Sequence, residues 1–113
     1  MNHGERRAAR HYRLRGWRVI GTNVRVGRDE LDLIVRRGRS VRFVEVKEKT
    51  GPGYGSPLEM IDARKLEHVR RASLRWLLAH PELRGLEIGF EAVGVSPNRL
   101  RRVRLTFEDV NDL

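Results

Sequence analysis

Hydrophobic and polar positions change period several times along the chain, and each change marks an expected element. Residues 4–15 place Ala8, Ala9 and Tyr12 on one side at helical spacing, and Gly16 is positioned to end a short helix. Trp17 to Ile20 predicts a short strand. Glu30 to Val35 (ELDLIV) and Val41 to Lys47 (VRFVEVK) predict stronger strands, joined by the turn-like Arg36-Arg37-Gly38-Arg39-Ser40, so an antiparallel meander is expected. Thr50 to Pro57 (TGPGYGSP) is rich in turn residues and separates this region from a different pattern. Ser56-Pro57-Leu58-Glu59 then offers an N-cap, a proline at the first helical position and a glutamate three residues after the cap, predicting a helix start. Leu58, Ile61, Val69, Ala72, Trp76 and Ala79 continue it at helical period until His80-Pro81. Leu86 to Val95 predicts a buried strand, Ser96-Pro97-Asn98 a turn, and Leu100 to Phe107, with Val103, Leu105 and Phe107 alternating, a last strand. The expected order is α-β-β-β-α-β-β, with the long helix lying across the sheet.

With 113 residues, 39% of them hydrophobic, the chain suits one α/β domain over residues 1–113, and it contains no internal repeat. Its apolar runs fall far short of the ~20 residues that span a bilayer, and no apolar segment follows the basic N-terminus, so no membrane association and a cytoplasmic location are expected. The absence of cysteine excludes disulfides, thiolate zinc sites, iron–sulfur clusters and a cysteine nucleophile. Charge adds a partner class. The formal net charge is +9, and residues 1–50 carry 14 Lys and Arg against 6 Asp and Glu while residues 51–113 carry 10 against 9. A polyanion is expected to meet the first half, nucleic acid foremost and DNA rather than RNA. Arg6, Arg10 and Arg13 recur at i, i+4 and i+7, a stripe that could track phosphates or simply face solvent.

Chemistry concentrates in the two stronger strands. Period-two geometry places Glu30, Asp32 and Ile34 on one face of their strand, and Val41, Phe43, Glu45 and Lys47 on one face of theirs. If the strands pair, Asp32, Glu45 and Lys47 converge, which is what a metal-dependent phosphodiesterase requires. Asp32 and Glu45, with a backbone carbonyl such as that of Val46, offer hard oxygen ligands to Mg²⁺ or Mn²⁺. Lys47 would orient or deprotonate the attacking water, or stabilise charge on the phosphorane. The plainer alternative is that Glu45 and Lys47 decorate the polar side of an edge strand. Glu5 shares the inward side of the first helix with Ala9 and Tyr12, either as a further metal or water ligand or as a first-turn partner of the helix dipole. Lys65 lies near the apolar face of the long helix, where it could touch a phosphate or lay its stem along the core. Glu59 reads first as a capping residue, and the four histidines lack metal-ligand spacing. No phosphate-binding G-x-x-x-x-G-K-[ST] loop is present.

Gly4-Glu5 with Ala8 and Ala9, Gly16, Asn23, Glu30-Leu31-Asp32-Leu33-Ile34, Phe43-Val44-Glu45-Val46-Lys47, Tyr54-Gly55 with Pro57 and Glu59, Lys65 and Phe90-Glu91-Ala92-Val93 occur in an order that resembles the YraN-like bacterial proteins. That family belongs to the PD-(D/E)XK, or restriction-endonuclease-like, superfamily and is similar to archaeal Holliday-junction resolvases. The resemblance covers roughly residues 4–95. It implies an α-β-β-β-α-β core, a mixed central sheet flanked by helices. It further implies Asp32, Glu45 and Lys47 as the catalytic set, Glu5 as the helix carboxylate, and a divalent metal between them. Three positions depart from the family pattern. Asp29 stands where Gly is common, Lys49 stands where Arg is common, and Gly89-Phe90-Glu91 replaces Arg-Phe-Asp. Lys49 is a weaker bidentate phosphate clamp than Arg.

The expected function is therefore DNA phosphodiester hydrolysis by a small metal-dependent endonuclease, branched or junction structures among its substrates. Arg6, Arg10, Arg13, Lys49 and Lys65 are the expected phosphate contacts, and a symmetric homodimer would present two sites to a junction. Two other classes stay open: a non-catalytic nucleic-acid-binding module, and an accessory subunit that needs a protein partner.

Overall fold

A computed structural model describes residues 1–49 and 61–106. Helix α1 (His3–Arg13) is followed by strands β1 (Arg18–Val26), β2 (Asp29–Arg37) and β3 (Ser40–Glu48), helix α2 (Ala63–Leu78), a 3₁₀ turn at Pro81–Leu83, and strands β4 (Glu87–Ser96) and β5 (Arg99–Leu105). The five strands form one mixed sheet in the order β1-β2-β3-β4-β5. Neighbours are antiparallel except β3 and β4, which run parallel across the connection that contains α2. This is the expected α-β-β-β-α-β-β order and the arrangement of a restriction-endonuclease-like core.

Both hairpins of the meander close on two residues, the first of which is a glycine at positive φ: Gly27 at 62° and Gly38 at 59°. Such turns match the twist of the flanking strands. The expected turn at 36–40 is tighter than its composition suggests, because Arg37 and Ser40 already pair. Strand β1 is longer than Trp17 to Ile20. Its polar and small residues from Gly21 to Val26 weaken the sequence signal, yet pairing with β2 carries it to Val26.

The two sheet faces are packed by different helices. Ala8, Ala9 and Tyr12 of α1 join Trp17, Leu33, Val35, Val44, Val93 and Val95, whereas Val69, Ala72 and Trp76 of α2 join Ile34, Val41 and Phe43. Central strands covered on both faces read as continuous apolar runs rather than alternation, which explains Leu33-Ile34-Val35. Helix α1 begins with a reciprocal cap: the Asn2 side chain accepts from the Glu5 N–H at 2.8 Å while Glu5 accepts from the Asn2 N–H at 2.9 Å.

Helix α2 departs from its expected start. The Ser56-Pro57-Leu58-Glu59 signal, Glu59 included, lies outside the described residues, but Ile61 and Asp62 are not helical and Asp62 is the N-cap, accepting from the Lys65 N–H at 2.8 Å. An aspartate cap immediately before Ala63 satisfies the donors of a first turn there. Phe107 also lies outside the described residues.

A buried polar network ties α1 to the sheet. Glu91 accepts from the Tyr12 hydroxyl at 2.6 Å and from Arg102 at 2.8 Å, and lies 3.3 Å from Arg42. Arg42 crosses β4 directly over Gly89, where an added Cβ would come within 2.9 Å of its Cδ. Two departures from the resembled pattern thus have structural explanations. Glu91 holds the network, and Gly89 leaves the space that the Arg42 guanidinium fills.

Candidate active site

Strands β2 and β3 pair from Arg37 and Ser40 as far as Leu33 and Val44, and then part although both continue. Asp32 stands at the parting. Its Oδ2 accepts the Val46 N–H at 2.9 Å, taking a donor that the register would otherwise offer to the Leu31 carbonyl. The N–H and C=O of one strand residue face the same neighbour, so the Val46 carbonyl is turned into the same gap.

The opening is also marked on β1. Thr22 pairs with Leu33 and Val24 with Leu31, and between them Asn23 adopts a left-handed φ of 46° opposite Asp32. Asparagine tolerates that conformation better than most residues. Its Nδ2 donates to Glu5 Oε1 and to Glu30 Oε1, each at 3.1 Å. Glu5 reaches the gap from α1, so Glu5, Glu30 and Asp32 each bring a carboxylate oxygen within 4.8 Å of the others.

One expectation about faces fails here. Strict alternation would put Glu30, Asp32 and Ile34 together, but Ile34 packs with α2 while Glu30 joins the carboxylate of α1 through Asn23. The irregularity at Asp32 breaks the period, since a residue that bonds sideways across the gap no longer fixes the face of those before it.

Glu45 lies on the α2 side of β3, as Phe43 does, and is only 3% exposed. Lys65, from the first turn of α2, approaches it to 3.2 Å. Burial, reinforced by the neighbouring Asp32 charge, pushes the Glu45 carboxyl up to about 8 against the Lys65 ammonium. Burial and the Glu5 charge likewise raise Asp32, with the Val46 N–H opposing them. For Lys65, burial disfavours the charge, but the Glu45 carboxylate outweighs it and holds the ammonium above its ordinary value.

Lys47 follows Glu45 on the same side of β3 and pairs with Gly94 in the β4 ladder. It is half-buried and makes no ion pair among the described residues. The ammonium that the structure brings to the carboxylates is thus that of Lys65, and Lys47 is not paired with them. Arg6, Arg10 and Arg13 are exposed on the outer side of α1, and Lys49 is exposed just past β3, its N–H bonded to the Val95 carbonyl at 2.8 Å.

Two members of the site escaped the sequence reading. Glu30 was visible in Glu30-Leu31-Asp32 but had no assigned role. Asn23 carried a weaker signal, an asparagine inside a strand where β-branched residues are favoured.

The donor set fits a hard divalent cation. Three clustered carboxylates, with neither thiolate nor imidazole among them, match the oxygen preference of Mg²⁺ or Mn²⁺ rather than the nitrogen and sulfur preference of zinc. Crowded anions whose carboxyls are raised by burial and one another are also what a cation would relieve.

Comparisons with known proteins agree along most of the chain. A family model described as "Uncharacterised protein family UPF0102" matches residues 4–105. The chain is 38% identical over 109 residues to a UPF0102 protein of Frankia casuarinae, covering 92% of each. It is 38% identical over 106 residues to one of Alkalilimnicola ehrlichii, covering 94% of this chain and 84% of that one. It is 40% identical over 93 residues to one of Nocardia farcinica, covering 82% and 72%.

Proposed function

The chain belongs to the family UPF0102, within the restriction-endonuclease-like superfamily, and from its site we propose a divalent-cation-dependent endonuclease that hydrolyses DNA phosphodiester bonds. One observation carries the proposal: Glu5, Glu30 and Asp32 converge where β2 and β3 part, with Glu45 and Lys65 adjoining.

Glu5, Glu30 and Asp32 would hold the ion, with Glu45 and the Val46 carbonyl beside them. A bound Mg²⁺ or Mn²⁺ supplies Lewis-acid polarisation of a phosphoryl group and neutralises charge there. The chain's own residues do the rest. Asp32 is fixed by the Val46 N–H, and Glu5 and Glu30 by the shared Asn23 amide, so the carboxylates are oriented before substrate arrives. Glu45, with its carboxyl raised to about 8, can exchange a proton with water near neutral pH. Lys65 keeps a positive charge beside it, and the unpaired Lys47 is left to meet an anionic phosphate oxygen. The exposed Arg6, Arg10 and Arg13 supply a basic side of α1 along which a duplex backbone can lie.

Labelled linear duplex, single-stranded, flap and four-way-junction DNA, incubated with the protein and Mg²⁺ or Mn²⁺, tests this beside Asp32→Asn and Glu45→Gln. Cutting that needs the ion and is lost in both variants is expected. Salt-sensitive binding without cutting, unchanged in the variants, would overturn the enzyme reading in favour of a binding module.

A further inference from the structure

At the end of α2 remote from the carboxylates, Leu74, Leu77, Leu78, Leu83, Leu86 and Ile88 line an apolar groove of about 430 Å³. Leu78 is 82% exposed and Leu74 47%, an unusual exposure for large side chains on neighbouring turns of one helix. Arg84 is the one charged lining residue described, and Arg39 reaches the rim by donating to the Gly85 carbonyl at 3.2 Å. The groove is thus greasy inside and cationic at its edge.

We propose that residues 107–113 of this chain, which lie outside the described residues, dock in this groove. Three observations point to that occupant. The first is direction: β5 is antiparallel to β4 with Leu105 opposite Phe90, so a chain leaving Leu105 heads toward Ile88 and Leu86, which line the groove. Leu105 packs on the α2 side with Ile61, Leu66 and Ala92, and strand alternation carries Phe107 to that side. The second is pattern. Phe107, Val110 and Leu113 recur every third residue, with Glu108, Asp109 and Asp112 between them and no basic residue, so the segment is apolar on one side and anionic on the other. The third is charge: an acidic segment complements Arg84 and Arg39 in a chain of net charge +9. Seven residues span roughly 23 Å when extended, enough to cross a groove between a helix and the adjoining strand.

A second copy of the chain fits less well. A two-fold contact centred on the groove would set Arg84 and Arg39 near their own counterparts, and its exposed apolar area, centred on Leu74 and Leu78, falls short of the ~800 Å² per partner of a stable dimer.

The absence of cysteine makes the test direct, because Asn111→Cys creates a single site for a nitroxide spin label. In methyl-labelled full-length protein the Leu74, Leu78 and Ile88 methyl signals are expected to vanish and to return when the nitroxide is reduced, while those of Val19 on the α1 side persist. Adding Phe107→Asp and Val110→Asp to the labelled chain is expected to restore the groove signals. Groove signals that survive the label would overturn the proposal. So would their loss when spin-labelled chains without isotope are mixed with isotope-labelled chains that lack the cysteine, since the occupant would then be a second copy.

Discussion

Replacing Glu45 with glutamine keeps the shape of a buried side chain and removes its charge, so its effect on folding can be worked out from the site. The unfolded chain ionises Glu45 at the ordinary 4.5, while the folded chain holds the proton up to about 8. A carboxyl raised on folding contributes its full stability below 4.5 and loses it as pH rises through 8. At pH 7, with no divalent ion present, the loss is about 3 kcal/mol, at roughly 1.4 kcal/mol per pH unit. Glutamine avoids it. The variant also deprives Lys65 of its partner, but that side chain is 38% exposed and can turn to water, which limits the offset to about 1 kcal/mol.

The net expectation is that Glu45→Gln stabilises the protein by about 2 kcal/mol at pH 7, a rise in Tm of roughly 8 °C for a chain of this length. The gain should vanish at pH 4.5, where wild-type Glu45 is itself protonated. Urea denaturation in EDTA at the two pH values measures both. Added Mg²⁺ or Mn²⁺ should stabilise wild type more than the variant, narrowing the gap. A variant less stable than wild type at pH 7, or a gain of equal size at both pH values, would refute the argument that charge crowding governs this cluster.

Other perturbations probe other parts of the fold. Asn23→Ala forfeits two hydrogen bonds and places an ordinary residue at a φ of 46°, so a loss of about 1–3 kcal/mol is expected by denaturation, with Asn23→Gly losing less because glycine accepts the backbone. Gly89→Ala brings a Cβ within 2.9 Å of Arg42 Cδ and should lower stability by about 1–3 kcal/mol in the same assay. Burial opposes the Glu91 charge, but hydrogen bonds from Arg102 and Tyr12 outweigh it and hold the carboxyl below its ordinary value. Its stabilisation is therefore present above 4.5 and lost as pH falls, a slope that Glu91→Gln should flatten in acid titration of stability. Burial and the Glu91 bond keep the Tyr12 hydroxyl protonated well above 10, so wild type should lose stability as pH rises past 10 and Tyr12→Phe should not show that loss.

The core was legible because its signals are local and repeated. Ala8, Ala9 and Tyr12 mark one helix face, and Leu33-Ile34-Val35 marks a strand buried on both sides. Asp32 and Glu45 were legible for the same reason, as charges inside apolar strands. The α2 start was misread because two capping signals compete in sequence, and only the structure shows Asp62 engaging Lys65. Lys65 beside Glu45 could not be separated from a surface lysine, since its approach depends on where α2 crosses the sheet. Arg42 reading Glu91 across Gly89 is a contact between β3 and β4, hidden from any one-strand pattern.

The place where alternation fails is also where the carboxylates gather, and one cause accounts for both. A strand that continued regularly past Leu33 would pair with β3 beyond Val44 and leave no gap for Glu5 to enter. By spending its side chain on the Val46 N–H, Asp32 satisfies the parted edge of β3, and Asn23 in its left-handed conformation satisfies Glu5 and Glu30 from the other side. The polar residues therefore stabilise the opening that the chemistry needs, and an apolar residue at position 32 would favour closing it. Local rules give way at a functional site when the surrounding structure holds the exception in place. Here the flanking pairs Thr22 with Leu33 and Leu33 with Val44 do so, fixing both neighbours of β2 up to the residue before the break.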